Sequence, residues 1–248
     1  MTADATVRRS GSDHRFFVVA GLTAFAVVFV GFARTYYLKS LFGTPSLSWL
    51  LHLHGFLMSS WFALFFVQVR LVAAHRVDLH RRVGIAGAAL AALMVSVAAT
   101  VARRGAQREI HRPSSGGPPP LQAMGFVLFV LLVFAILVGA ALLLRRRRDY
   151  HKRLMLLSCL SMVGPGLSRI DIQHVPIVAF LRTGGPLGLF GFDLLLVYAC
   201  IAYDTWRNHR LHPAFVWGSL LIALEELPFI WMFLSSSTWM RFATWLVS

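Results

Sequence analysis

The sequence predicts an all-α fold, a polytopic membrane helix bundle of about seven transmembrane helices. Three observations carry that expectation. Apolar residues make up 57% of the chain and charged ones only 14%, where a soluble domain carries nearer a quarter. The apolar residues fall in runs of about 20, the length a helix needs to cross the hydrocarbon core. The bases lie mostly between those runs, and they give a formal net charge of +14, from 24 Lys+Arg against 10 Asp+Glu. In a soluble chain that balance would raise nucleic-acid binding. Between apolar runs, membrane orientation and anionic lipids account for it first, so the expected partner is the bilayer and not nucleic acid.

Residues 1–15 are polar and are expected to form a disordered cytoplasmic N-terminus, leaving 16–248 as one transmembrane helical domain. Span one is expected at about 16–38. Arg8, Arg9 and Arg15 precede it and no small-residue cleavage site follows, which reads as a retained span rather than a removed leader. Span two runs about 47–73 and opens with the unusual run Leu51 to Gly55, LHLHG. Span three runs about 83–102, and a loop containing Ser114 to Pro120 follows. Span four runs about 121–144 and ends in Arg145 to Arg148. Span five starts near Asp149, a residue suited to cap it, and carries Gly164-Pro165-Gly166, which must weaken the helix because proline removes a backbone bond. Span six runs about 185–205. Span seven runs about 213–235, with Pro213 suited to a first turn. Cys159 and Cys200 both lie inside apolar runs, which argues against a disulfide framework and a CxxC metal site.

Orientation follows from the bases. With the N-terminus inside, the inner segments hold Arg8, Arg9, Arg15, Arg70, Arg76, Arg81, Arg82, Arg145 to Arg148, Lys152, Arg153, Arg207 and Arg210. The outer segments hold Lys39, Arg103, Arg104, Arg108, Arg112, Arg182 and Arg241. That excess inside fits a multi-pass protein of the bacterial inner membrane with its C-terminus outside, although the four arginines between spans three and four run against it.

Depth then places the polar residues, at about 1.5 Å of rise per residue. His52 and His54 fall in the first turns of span two, near the outer edge of the hydrocarbon. His75 lies at the inner interface. Arg169 comes about 30 Å along span five from Asp149, again near the outer edge, with Asp171 and His174 beyond it. Asp193 enters with span six, and Glu225 and Glu226 lie near the middle of span seven. Charges inside a bilayer survive by pairing or by facing a wet cavity. The economical arrangement is one outer-half pocket of His52 or His54 with Arg169, Asp171, Asp193 and one of the two glutamates. Adjacent helical residues point about 100° apart, so Glu225 and Glu226 cannot both face it. The bland alternatives are interfacial snorkelling for Arg169, Asp171 and His174, a protonated acid bonded to a neighbour for the glutamates, and a structural Arg–carboxylate pair.

Three chemistries fit these residues. A b-type haem takes two imidazoles at matched depth on facing helices. The outer set is His52 or His54 with His174, and the inner set is His75 or His80 with His151. The inner histidines sit among bases and also read as plain loop residues. A non-haem metal site would join His54 to Asp171 or Asp193 as N/O ligands. His52 and His54, two residues apart, diverge by about 200° on a helix and cannot share one metal. Proton or solute conduction would use Arg169, Asp193, Glu225 and Glu226 beside the Gly164-Pro165-Gly166 break.

Three segments together carry a resemblance. They are LHLHGFLMSSWFALFFVQVRLVAAHRVDLHRRVG (Leu51–Gly84), DYHKRLMLLSCLSMVGPGLSRI (Asp149–Ile170) and YDTWRNHRLHPAFVWG (Tyr203–Gly218). Through their HxHG, LHRxxG, DxHKRLM and LHPxxxWG elements the chain resembles a family of uncharacterised bacterial seven-helix inner-membrane proteins. The LHRRVG element alone is similar to one in cytochrome b561-like predicted haem membrane proteins. The resemblance implies the architecture and no activity, and Glu225-Glu226 departs from its pattern. The functional expectation is an integral membrane protein binding haem b, or another metal or redox cofactor, in the outer-half pocket. The alternatives are a conducting protein without a cofactor and an accessory subunit of a larger membrane complex.

Overall fold

The computed structural model describes residues 3–113, 118–170, 194–224 and 228–248. All regular structure among them is helical. Four helices are long and apolar enough to cross a membrane: α1 (Ala3–Phe32), α2 (Trp49–Ala73), α3 (Val77–His111) and α4 (Pro120–Leu143). Shorter pieces follow: α5 (Arg148–Leu160), α6 (Gly164–Leu167), α7 (Leu195–Asn208), α8 (Pro213–Ala223), α9 (Pro228–Leu234) and α10 (Ser237–Val247).

α1 is helical from Ala3, upstream of the apolar stretch, which reaches from His14 to Tyr37. Its buried residues Phe17, Ala20, Ala24 and Val28 recur at three and four positions, so one stripe faces the bundle. The opposite face exposes Val19, Leu22 and Val30. α1 closes in a single π-turn, Ala33–Tyr37, marked by the bond from Leu38 N to Ala33 O at 2.8 Å. That wider turn brings Tyr36 and Tyr37 onto α2. The Tyr37 and Ser59 hydroxyls are 2.8 Å apart, and the Tyr36 ring lies where a Cβ on Gly55 would stand. Only glycine fits there, which gives the glycine of the LHLHG run a packing role.

α2, α3 and α4 pack as successive antiparallel neighbours. α3 starts before and ends after the expected 83–102. Its 35 residues make about 52 Å of helix, well beyond the roughly 30 Å hydrocarbon core. Nothing in Arg103–His111 stops a helix, and Ala106 is buried against Met124 and Trp239. The C-terminal helix α10 lies on that overhang. Gln107 Nε2 donates to Val247 O at 2.7 Å, and Trp239 Nε1 donates to Leu121 O at 3.1 Å.

The centre of the bundle is α5. Leu154, Leu156, Leu157, Ser158, Cys159 and Leu160 are all buried, the pattern of a helix surrounded by others. α5 is only 13 residues long, about 20 Å, and stops short of the expected Gly164-Pro165-Gly166 break. It ends where Pro165 can neither donate to Ser161 O nor avoid that carbonyl. Gly164–Leu167 then forms one separate turn, as the Gly-Pro-Gly run requires. Around α5 the packed core includes Trp61 and Phe62 of α2, Met94 of α3, Phe134 and Leu137 of α4, and Phe215 of α8. Outside it, Phe56, Val67, Ile85, Leu93, Leu132 and Ile136 stand exposed on the long helices. A surface apolar on so many sides belongs against lipid.

Candidate functional site

At one end of the bundle, called here the near end, lie the α2–α3 turn, the α4–α5 turn and the α7–α8 loop. Contacts across it include the Phe16–Tyr203 ring stack at 4.7 Å and Lys152 over the Phe17 ring at 5.6 Å. Two polar groups form here. The first is the pair His80 on α3 and His151 on α5, whose rings are 6.2 Å apart and nearly perpendicular at 88°. His151 Nδ1 is 2.8 Å from Ala141 O. A carbonyl only accepts, so this nitrogen carries the proton and Nε2 keeps its lone pair. His80 Nδ1 and its neighbour Gln68 Oε1 are buried without a hydrogen-bond partner, although Gln68 Nε2 donates to His80 O at 3.2 Å. Buried polar atoms without partners call for an explanation.

The second group is charged and more deeply buried. Arg153 on α5 and Asp204 on α7 are 4% and 5% exposed. Arg153 Nη2 donates to Asp204 Oδ1 at 2.7 Å and to Oδ2 at 3.0 Å, and Arg153 Nε donates to Oδ2 at 3.1 Å. This forked pair ties α5 to α7. Arg153, counted from the sequence among the inner-segment bases, lies inside the bundle, one helical turn into the central helix. Asp149 is not the cap of α5. Arg147 holds the cap position, and Asp149 sits in the first turn beside Lys152 at 3.6 Å and Arg153 at 3.7 Å.

His212 completes this group. It is the N-cap of α8, its Nδ1 accepting from Ala214 N at 3.1 Å, with Pro213 at the first helical position as expected. The Tyr150 ring meets it edge-on at 4.7 Å. Burial first, and the nearby Arg153 charge second, hold His212 below the ordinary histidine value, against the opposite pull of Asp204 and Asp149. A lowered value means that the folded state takes up this proton less readily than the unfolded chain. His212 therefore supports the fold fully above about pH 6.5, and loses that support as pH falls through this value toward its own lower one. His212→Asn keeps a capping oxygen and cannot titrate. Its unfolding midpoint in detergent should fall less between pH 7.5 and pH 5 than that of the parent, and equal slopes would remove His212 as a contributor.

At the far end lie His54 and Arg169, two of the residues expected in the outer pocket. His54 is half-buried with Nδ1 unpaired, and the Arg169 charge bears on it. Arg169 Nη1 donates to Pro165 O at 2.6 Å, and its guanidinium carbon stands 4.4 Å from the centre of the Phe32 ring. His52 points elsewhere, as the divergence along α2 requires. It is exposed, with the Tyr36 ring 6.0 Å away. Asp171, His174, Asp193, Glu225 and Glu226 lie outside the described residues. His75 is exposed in the α2–α3 turn with a left-handed backbone (φ 58°), so His80 and not His75 faces His151. Among the described residues no group of three or more His, Cys, Asp or Glu side chains is placed to hold a metal ion. Cys159 and Cys200 are free and buried.

The Arg153–Asp204 pair was missed from the sequence because span counting put Arg153 with the surface bases and did not single out Asp204. The signal was there, as an acid in the last turns of an apolar run (Asp204) at the depth of a base on a neighbouring one.

Among the described residues the protein is all-helical, and the four long apolar helices found there are compatible with an integral membrane protein. No protein-family model, curated protein or solved structure matches the chain.

Proposed function

We propose that this protein is a seven-span inner-membrane protein, N-terminus inside, that holds a redox-active metal cofactor between helices, with haem b as the candidate and His80 and His151 as the residues that would hold it. The observation that carries this is the imidazole pair on α3 and α5. The two rings stand 6.2 Å apart, near enough for both to reach one group held between them. The residues fit in two further respects. His151 donates its Nδ1 proton to a backbone carbonyl, the support that ligating histidines ordinarily have. His80 carries an unpaired buried nitrogen. A bound haem would supply one-electron transfer. The chain's own part would be to orient the His151 ring through Ala141 O and to hold the His80 main chain through Gln68. His54, with a buried unpaired Nδ1 at the far end, is the second candidate position.

An absorption spectrum of the purified protein tests the proposal. The expected result is a Soret band that His80→Ala and His151→Ala each abolish or shift strongly, while His75→Ala leaves it unchanged. Loss of the band in His54→Ala alone would move the ligand to the far end. Colourless protein without bound metal, purified from cells supplied with haem precursor, would overturn the cofactor reading.

A further inference from the structure

Beside the buried Arg153–Asp204 pair the near end opens into a cleft of about 560 Å³. Arg147 and Arg148 line it from the α4–α5 turn, Arg210 lines it from the α7–α8 loop, and Tyr150 and His212 form its shared wall. Two segments distant in sequence thus aim three guanidinium-bearing side chains at one space. Among the described residues no carboxylate pairs with any of the three. Asp204 is occupied by Arg153, and Asp149, which also lines the cleft, sits beside Lys152 and Arg153. No side chain caps the start of α5 at this cleft, so its first backbone N–H groups add to the positive end. The cleft is held open by fixed parts, with α5 clamped to α7 by the forked ion pair and Tyr150 set against His212. Leu211, 52% exposed, lines the cleft with the bases, and Leu143, 85% exposed, ends α4 just before the arginine run.

From this arrangement we infer that the cleft is a binding site for a phosphate-bearing anion, the headgroup of an anionic phospholipid whose acyl chains run along Leu143 and α4. Arginine forks match phosphate oxygens, and basic pockets at the level where helices leave the bilayer suit such headgroups. Inorganic phosphate shares the anion chemistry and lacks the chains, so the two exposed leucines favour lipid. This site is independent of the His80–His151 pair and stands whether or not a cofactor is bound.

Native mass spectrometry of the full-length protein in detergent tests the assignment, with phosphatidylglycerol, phosphatidylcholine and inorganic phosphate as separate probes. Phosphatidylglycerol should bind in preference to phosphatidylcholine. Arg148→Gln with Arg210→Gln should weaken that binding about thirtyfold, at about 1 kcal/mol per base. Arg145→Gln with Arg146→Gln, an equal loss of charge just outside the cleft, should weaken it less than threefold. Binding of inorganic phosphate with the same sensitivity to Arg148 and Arg210 would keep the site and assign it to the free ion. Equal weakening by the two double variants, or no preference for the anionic lipid, would overturn it. Arg148→Lys with Arg210→Lys keeps the charge. It loses the forks, so it should weaken the binding severalfold and more than Arg145→Lys with Arg146→Lys; if the glutamine pair fails to fold, equal binding by the two lysine pairs would overturn the site.

Discussion

Asp204→Ala is expected to destabilise the protein by about 3–5 kcal/mol, because it leaves the Arg153 guanidinium buried without its counter-charge. The size follows from the environment more than from the bond. Inside a helix bundle in lipid, apolar residues gain little by moving from acyl chains to protein, so packing and polar pairs carry much of the specificity. Arg153 is 4% exposed and makes three bonds of 2.7–3.1 Å to one carboxylate. Without Asp204 it keeps the Asp149 carbonyl at 3.0 Å, the Phe215 ring at 5.9 Å and the Asp149 carboxylate at 3.7 Å; that carboxylate is 62% exposed, so water screens its charge and it replaces Asp204 only weakly. Two comparisons isolate the cause. Asp149→Asn removes a carboxylate that is 62% exposed and 3.6–3.7 Å from its partners, and should cost less than about 1 kcal/mol. Arg153→Met with Asp204→Leu removes both charges and should recover most of the loss. Denaturant unfolding in detergent measures all three. A single variant as stable as the parent would mean that water reaches the pair.

The four long helices could be read from apolar length, since a bilayer sets a minimum run of apolar residues whatever the packing. The second half of the chain was harder. A run such as 149–170 is apolar enough to be counted as a span, and only Gly164-Pro165-Gly166 says that it is not one helix; the structure divides it into α5 and α6. The end of α3 was misplaced for the opposite reason. Arg103, Arg104 and Arg108 mark where the chain leaves lipid, but leaving lipid does not end a helix, and the docking of α10 keeps it going. In the candidate sites, depth arithmetic brought His54 level with Arg169 and His80 level with His151, because rise per residue is nearly constant. It could not say which face each residue takes once a turn intervenes. For that reason His75 and His80 stood as equals in the sequence and do not in the fold. The short elements LHLHG, DYHKR and LHP, which look like chemistry, contain packing devices: Gly55 under Tyr36, Arg153 on Asp204, and His212 capping α8 behind Pro213.

Gly31→Ala should be comparably damaging, by about 1–3 kcal/mol or more, although it adds a single methyl group. α1 and α6 cross backbone to backbone at this point. A Cβ on Gly31 would overlap the Gly166 carbonyl, and a Cβ on Gly166 would come within 2.9 Å of Val28 Cα. Side chains can change rotamer to admit a methyl group, but here the obstacle is main chain on both sides, so α6 must move as a unit. Arg169, whose guanidinium bonds the Pro165 carbonyl and covers Phe32 of α1, would move with it, away from the position where its charge bears on His54. The contrast with Gly55 makes the argument specific. There the obstacle is the Tyr36 ring, and Tyr36→Ala should restore stability lost in Gly55→Ala, whereas no side-chain truncation should rescue Gly31→Ala. Gly139→Ala sets the baseline. Nothing lies within 4 Å of a Cβ at that position, and the change should be neutral or stabilising by up to about 1 kcal/mol through helix propensity alone. If Gly31→Ala behaved like Gly139→Ala in the same unfolding assay, the close crossing of α1 with α6 would be wrong, and with it the placement of Arg169 over Phe32.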